Sequence, residues 1–448
     1  MTRDLFGNDI TDAEGVDLRD RWEIRPGDCL ATLRELEDDS VDAVVTDPPY
    51  GLGKPPPIAD LMRAWCDDAD HDHLAGSGGF MGRKWDAMVP HPRIWRECVR
   101  VLKPGGHLVV FAGQRTADLM GVALRFGGAE IRDQLQWLTY SGFPKALDVS
   151  KAIDAAAGAE REVVGRYQPP NGKPWNLRND TSTPGNGGTM GKFGARSGGM
   201  DITAPATPEA AQWEGWHTAL KPCAEPAWLA RKPLGGTVAA TVLEHGTGAL
   251  NIDATRYAYG DPAWPGPQER HADIGRGKST LLRLGPIQAA QMADGGRWPS
   301  NVYYCPKASR SEREAGLAEA GIEPVAGFDA VGRAEGSAGL DNPRAGAGRA
   351  AATVRNSHPT VKPIALMSWL VRLVTPPGGL VVDPFAGSGT TGIAAASQGF
   401  RFIGCELDER FVRIARARID WHTKGFRDEA MRGGSQDVAD LPLFGGGS

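Results

Sequence analysis

Three observations predict an α/β fold with a largely parallel sheet covered by helices on both faces. Strand and helix signals alternate from Trp22 to about Leu138, and the same rhythm returns from Pro363 to Ile419. Between the two halves the pattern dissolves into Gly-, Pro-, Asn-, Ser- and Thr-rich sequence, notably over Gln168–Pro208. The 448 residues therefore suit one large α/β domain carrying a long irregular insertion.

Each element has a local signal. Trp22-Glu-Ile-Arg25 leads into Gly27-Asp28, and Leu30, Leu33 and Leu36 then mark a short amphipathic helix. The apolar run Val41–Thr46, broken only by Asp42, reads as a buried strand. A polar loop with tandem glycines follows, over Lys54–Trp85, and then a helix around Ile94–Leu102. The turn Lys103-Pro-Gly-Gly106 introduces a strand over His107–Ala112. In the late half, Pro363–Leu373 reads as helix, Leu380–Val382 as strand and Thr391–Gln398 as helix. Arg401–Cys405 reads as strand and Asp408–Ile419 as helix. In the middle, Leu220–Leu234 and Val238–Leu243 carry strand signals and could rejoin the sheet, whereas Ala315–Ala352 reads as a linker.

The 50 basic and 55 acidic side chains nearly balance, so the chain is no polybasic nucleic-acid coat and any such contact must come from a local patch. Six scattered cysteines with no close Cys/His pairing argue against a zinc site or a disulfide framework. No metal is expected. The polar, acidic start MTRDLFGNDITDAEG is unlike a signal peptide and no run approaches a membrane span, so a cytoplasmic location is expected.

Two stretches carry chemistry. The first, TDPPY at Thr46–Tyr50, ends a core strand in an acid. Two prolines follow that donate no N–H and fix the direction of their carbonyls. An acid, rigid acceptors and an aromatic face suit a flat ligand bearing an amino group. The second, Asp383-Pro-Phe-Ala-Gly-Ser-Gly-Thr-Thr-Gly392, is a strand end, a glycine turn and a helix start, with Glu406 closing the next strand about 20 residues on. Alone it fits a nicotinamide cofactor or S-adenosylmethionine. Asp383 before the loop would repel a pyrophosphate and suit the ammonium of a methionine moiety. If the strands ending at Thr46 and Val382 are central neighbours, both loops open onto one crevice.

With GDCLATL at Gly27–Leu33 and HPTVKP at His358–Pro363 in the same order, these motifs resemble the DNA amino-methyltransferases that modify adenine N6 or cytosine N4. The order is that of the permuted β class, in which D-P-P-Y precedes the target-recognition region and the F-x-G-x-G loop comes last. The resemblance covers about residues 20–150 and 355–420, and LKPCAEP and GALNID in the middle are weaker family-like pieces. It implies a Rossmann-like, mostly parallel seven-stranded sheet with one antiparallel strand, circularly permuted. With the pattern along the chain it gives a layout: a disordered arm over 1–20, a catalytic half over 21–150, and a target-recognition insertion over 151–350 in which 219–243 could be core strands. A cofactor-binding half over 351–424 and a disordered tail over 425–448 complete it.

The resemblance assigns roles to these positions. Asp47 and the Pro48 carbonyl would accept the amino protons of the target base, with Pro49 holding the loop and Tyr50 stacking on a base extruded from the duplex. S-adenosylmethionine would be the cofactor, with Phe385 and the Gly387-Ser388-Gly389 loop lining its methionine part, Thr390 and Thr391 beginning the helix with hydroxyls available, and Glu406 on the ribose. Asp28 would meet the adenine amino group, although it reads equally as a helix N-cap after Gly27. Thr360 and Lys362 would hold the methionine carboxylate, and Lys362 also reads as an ordinary surface lysine. Asp47 leans towards adenine, because cytosine-N4 members more often carry Ser there; RNA or protein methyltransferases would more typically show Asn.

DNA is the implied partner. Between Arg270 and Arg313 eight basic residues, among them Arg276, Lys278, Arg297, Lys307 and Arg310, face three acids, with Trp298, Tyr303 and Tyr304 nearby. This stretch reads as a phosphate-tracking surface or as a solvated face. The tail segment Asp440–Phe444 resembles the short peptides by which bacterial proteins bind the replication sliding clamp, with Leu441 and Phe444 as its apolar anchors. Many relatives are dimers, so a homodimer is a further expectation.

Overall fold

A computed structural model describes residues 21–74, 84–139, 146–166, 201–257, 298–326 and 353–432, with side chains as far as residue 424. The chain divides into two compact units. One comprises Met1–Leu138, Glu225–Glu323 and His358–Ser448, and the other Thr139–Ala224 and Pro324–Ser357.

The larger unit is built on one sheet. Its strands are β1 (Trp22–Pro26), β2 (Val41–Thr46), β3 (Leu102–Phe111) and β4 (Glu130–Leu138) from the first half of the chain. The smaller unit contributes two separate pairs, β5 (Val163–Arg166) with β6 (Asp201–Thr203), and β9 (Val325–Ala326) with β10 (Thr353–Val354). The main sheet is completed by β7 (Ala224–Arg231), β8 (Val302–Tyr304), β11 (Leu380–Asp383) and β12 (Arg401–Glu406). Its order is β1-β12-β11-β2-β3-β7-β4-β8. The β1–β12, β12–β11, β11–β2, β2–β3 and β4–β8 pairs are parallel, and β7 runs antiparallel to β3.

Among the described residues the sheet thus has eight strands rather than the seven expected. The extra one, β8, comes from sequence assigned to the insertion, and its three residues are too few to show a periodicity. The insertion boundaries differ for the same reason, since Glu225–Glu323 belongs with the sheet. Val238–Leu243 lies in a helix, Val238–His245, not a strand. Its β-branched residues point the wrong way, but Thr237 caps Ala240 N and Gly246 ends it at φ 75°. The supposed linker begins with a packed turn, where Leu317 is fully buried against Phe411 and Ile414. The last helix, Glu409–Arg432, runs past the predicted start of the tail.

Every residue of β2 is buried, as a central strand covered on both faces requires. Alternate side chains feed two cores: Ala43, Val45, Val109 and Phe111 face one, and Val44, Leu108 and Val110 the other. The acid that interrupts β2, Asp42, is satisfied in place by the Lys103 ammonium at 2.7 Å and the Leu380 N–H at 2.7 Å. From β11 the chain proceeds outward to β12, and from β2 outward to β3 on the other side. The β11–β2 pair is therefore where the strand order reverses, the usual place for a ligand crevice.

Candidate active site

Two loops leave the carboxyl ends of this central pair and are joined at their base. Thr46 Oγ1 donates to Asp383 Oδ1 at 2.6 Å, and Thr391 Oγ1 donates to Asp383 Oδ2 at 2.6 Å. Phe385 N adds a third bond to Oδ1 at 3.0 Å. Asp383 is 2% exposed, and burial pushes its carboxyl up to about 6 despite these donors. It fastens β2, the glycine turn and the following helix to one another.

The backbone after Asp47 is fixed from outside the motif. Asp86 Oδ1 accepts from Tyr50 N at 2.6 Å and Gly51 N at 3.2 Å, and Thr116 Oγ1 donates to the Tyr50 carbonyl at 2.5 Å. The Asp47 carboxylate then collects its own partners: the Tyr50 hydroxyl donates to Oδ1 at 2.8 Å, and Lys362 Nζ sits 2.6 Å from Oδ2. Lys362 also donates to the Tyr50 oxygen at 2.9 Å and lies 3.4 Å from Glu225 Oε2. Lys307 Nζ pairs with Glu225 Oε1 at 3.2 Å. A chain of alternating charge results, Asp47–Lys362–Glu225–Lys307.

Its electrostatics follow from burial. Desolvation pushes the Asp47 carboxyl up, and Lys362 offsets only part of this. Burial acts to lower Lys362, but Asp47 and Glu225 outweigh it, so its pKa is raised and it stays an ammonium. Desolvation acts to raise Glu225, but its two lysines win and hold it low. The Tyr50 phenol, desolvated and facing two carboxylates, is pushed well up and remains a donor. The rings of Phe111, Tyr50 and Trp137 lie 4.7, 5.3 and 5.7 Å from Lys362 Nζ and stabilise the buried cation. Lys362 is 5% exposed and is no surface lysine. In this structure it sits on the Asp47 carboxylate rather than standing free for a second anion.

On the other side of the crevice Gly387 and Gly389 adopt φ 53° and 80°, and the helix Thr390–Ala396 starts directly behind them. A Cβ at Gly389 would stand 2.9 Å from that of Ala415, so the turn lies tight against the last helix. From that helix Arg418, fully buried, donates to the Ser388 carbonyl at 2.5 Å, to Ser388 Oγ at 3.0 Å and to Thr390 Oγ1 at 3.2 Å. Ser388 and Thr390 thus accept from Arg418 with their hydroxyl oxygens, while Thr391 donates to Asp383. Phe385 packs beside Trp95 with ring centres 6.2 Å apart.

Glu406, at the end of β12, accepts from Gly387 N and Asp408 N, each at 2.9 Å, and burial raises its carboxyl to about 7. Asp28 caps the first helix, accepting with Oδ1 from Leu30 N at 2.9 Å and Ala31 N at 3.1 Å. A Cβ placed on Gly27 would meet nothing within 4 Å, so open space lies beside these two acids. Thr360 holds His358 Nδ1 through its carbonyl at 2.9 Å.

Of the residues expected on a DNA surface, Arg276, Lys278 and Arg297 lie outside the described residues, as do Leu441 and Phe444. Lys307 is in the charge chain, and Arg310 opens a short helix, Arg310–Glu314. Two neighbours are half-buried and make inward contacts. Tyr303 packs against Trp369 at 4.9 Å, and Arg313 donates to the His358 carbonyl at 2.9 Å. Glu225 and Asp86 were missed. Glu225 had a signal in retrospect, an acid before a proline at a strand edge (CAEP), but Asp86 had none.

A profile of the DNA methylase family matches residues 41–156 and 254–417, more than half of the chain and both sides of the crevice. The chain belongs to the DNA methylase family. Among similar proteins are the DNA adenine methyltransferase YhdJ of Escherichia coli (strain K12), 42% identical over 64 residues, and the type II methyltransferase M2.DpnII of Streptococcus pneumoniae, 43% identical over 63. Each stretch is 14% of this chain and spans only 22% and 24% of those relatives. Among solved structures, a putative DNA modification methylase from Thermus thermophilus in complex with S-adenosyl-L-methionine is 18% identical. The match covers 90% of this chain and 96% of that one at a TM-score of 0.38. The cytosine-N4-specific PvuII DNA methyltransferase is 13% identical over 94% and 96% at 0.41. No helix among the described residues is long and apolar enough to cross a membrane, and no group of metal-ligating side chains occurs among them.

Proposed function

We propose that this methylase transfers the methyl group of S-adenosylmethionine to the exocyclic N6 of an adenine drawn out of duplex DNA. The observation that carries the reading is the Asp47 carboxylate, at the end of β2, fastened through Thr46 and Asp383 to the glycine turn next door. The residues around that turn fit the cofactor. Asp28 and Glu406 present carboxylates beside open space at Gly27, which suits the amino and hydroxyl donors of a nucleoside and would repel a pyrophosphate. When bound, the cofactor supplies an electrophilic methyl on a sulfonium.

The chain supplies position and acceptors. An adenine amino group is a poor nucleophile because its lone pair is delocalised into the ring. Accepting its N–H bonds at Asp47 and at the rigid Pro48 carbonyl favours a pyramidal nitrogen whose lone pair is free to attack. A carboxylate has about four lone-pair sites, so Asp47 keeps Tyr50 and Lys362 while accepting a third donor. The buried, partly desolvated setting strengthens that acceptor as charge develops on nitrogen. Tyr50, its hydroxyl tied to Asp47, offers a fixed ring face to the base. Lys307 and Arg310 are proposed to meet backbone phosphates.

Mass spectrometry of nucleosides from unmethylated DNA incubated with protein and S-adenosylmethionine tests this. N6-methyladenine is the expected product. N4-methylcytosine would keep the chemistry and move the base. Neither product, with cofactor still bound, would sink the reading.

A further inference from the structure

Glu225 has no place in the scheme above, yet among the described residues it is the acid that shares a cation with Asp47. Its Oε2 lies 3.4 Å from Lys362 Nζ and 3.4 Å from the Tyr50 hydroxyl, the two groups that occupy Asp47. Its Oε1 pairs with Lys307 at 3.2 Å. It enters from β7, the antiparallel strand, whereas Asp47 comes from β2, Lys362 from the segment before Ile364 and Lys307 from the segment after β8. Four elements thus converge on one alternating row of charges, with Asp383 as the further acid beneath Asp47.

We propose that Glu225 is a positioning residue for methyl transfer, drawing the Lys362 ammonium partly off Asp47 and so keeping that carboxylate a strong acceptor for the amino group of the base. A lone Lys362–Asp47 pair at 2.6 Å would concentrate the cation on the acceptor and weaken it for an incoming N–H. With Glu225 in place the ammonium, 2.6 Å from Asp47, has a second carboxylate pulling on it from 3.4 Å, and Lys307 balances that second one from the far side. No bond forms or breaks at Glu225. In the transfer itself, the nitrogen lone pair forms the N–C bond and the S–C electrons stay on sulfur. One N–H then yields its proton towards Asp47, and its electrons return to nitrogen.

The proposal rests on the methyl-transfer reading, and its test separates the two. Single-turnover rates at saturating DNA and cofactor are measured against pH for wild type, Glu225→Gln and Lys307→Met, alongside cofactor affinity. Removing a negative neighbour makes Asp47 easier to ionise. Glu225→Gln should therefore move the acid limb of the profile down by about one pH unit, while the plateau falls about tenfold because the acceptor is weaker. Lys307→Met removes the outer cation and should move the limb up. Cofactor affinity should hold in both. A role in packing alone would lower rates without opposite movements of the limb, and an active wild type with superimposable profiles would overturn the proposal. Carbon-13 titration of the Asp47 carboxyl, identified by its loss in Asp47→Asn, reads the same coupling without turnover. A wild type that methylates no DNA refutes the functional reading, and a titration midpoint unmoved by Glu225→Gln refutes this one.

Discussion

Replacing Asp383 by Asn isolates the fastener under the site. The Asn carbonyl can still accept from Thr46 Oγ1 and Phe385 N, while its amide faces the Thr391 hydroxyl, which must turn round to accept. Burial raises the wild-type carboxyl from the ordinary 3.8 to about 6. The folded state thus holds this proton more tightly than the unfolded chain. Its contribution to stability is complete below about 3.8 and is lost as pH rises through about 6. At about 1.4 kcal/mol per pH unit the full effect is about 3 kcal/mol, of which about 2 kcal/mol falls between pH 4 and pH 8. Asn has no proton to lose. The stability of Asp383→Asn relative to wild type should therefore improve by about 2 kcal/mol from pH 4 to pH 8. Urea unfolding followed by tryptophan fluorescence at pH 4, 6 and 8 measures this. Parallel pH curves for the two proteins would refute the account of Asp383 as a costly buried acid.

Three other outcomes are expected. Gly389→Ala forces a side chain into φ 80° and against Ala415, so it should destabilise the fold by about 2–4 kcal/mol and weaken cofactor binding, both readable by thermal shift with and without S-adenosylmethionine. Glu406, raised to about 7, must be ionised to accept ribose hydroxyls. Calorimetry should therefore show cofactor affinity falling by up to about tenfold per unit as pH drops below 7 in wild type, with little pH dependence in Glu406→Gln. Arg418→Met strips the donors from Ser388 and Thr390 and leaves a buried carbonyl unpaired, at a cost of about 1–3 kcal/mol in urea unfolding, with weaker cofactor binding.

Where a local signal coincided with a tertiary role, the sequence was easy to read. Val41–Thr46 is a strand over the six residues that the sequence predicts, because a largely apolar, β-branched central strand needs little context. That the Thr46 and Asp383 loops share a crevice depended on the two strands being neighbours, a condition the sequence left open and the β11–β2 pairing meets. Asp28 carried two readings, and its cap is visible in the structure. What escaped was set by distant partners. Nothing in HPTVKP states that Lys362 will find Asp47, more than three hundred residues earlier in the chain, under three aromatic rings. Asp86, which holds the backbone after the two prolines, is one acid among many in a polar loop. That loop also holds a helix, Ile58–Cys66 (IADLMRAWC), whose Leu61 and Trp65 are buried and whose apolar residues the reading of a polar loop passed over. Nor does the sequence show that the hydroxyls of Thr46 and Thr391 close on Asp383 from two different elements.

The central claim is that Asp47 accepts the amino protons of a target base while the glycine turn beside it holds the methyl donor. Asp47→Ala tests it most directly, in a single-turnover transfer of labelled methyl to unmethylated DNA with cofactor affinity measured in parallel. The account predicts that transfer is lost and that cofactor binding stays within a few-fold of wild type. Transfer at near the wild-type rate would contradict it.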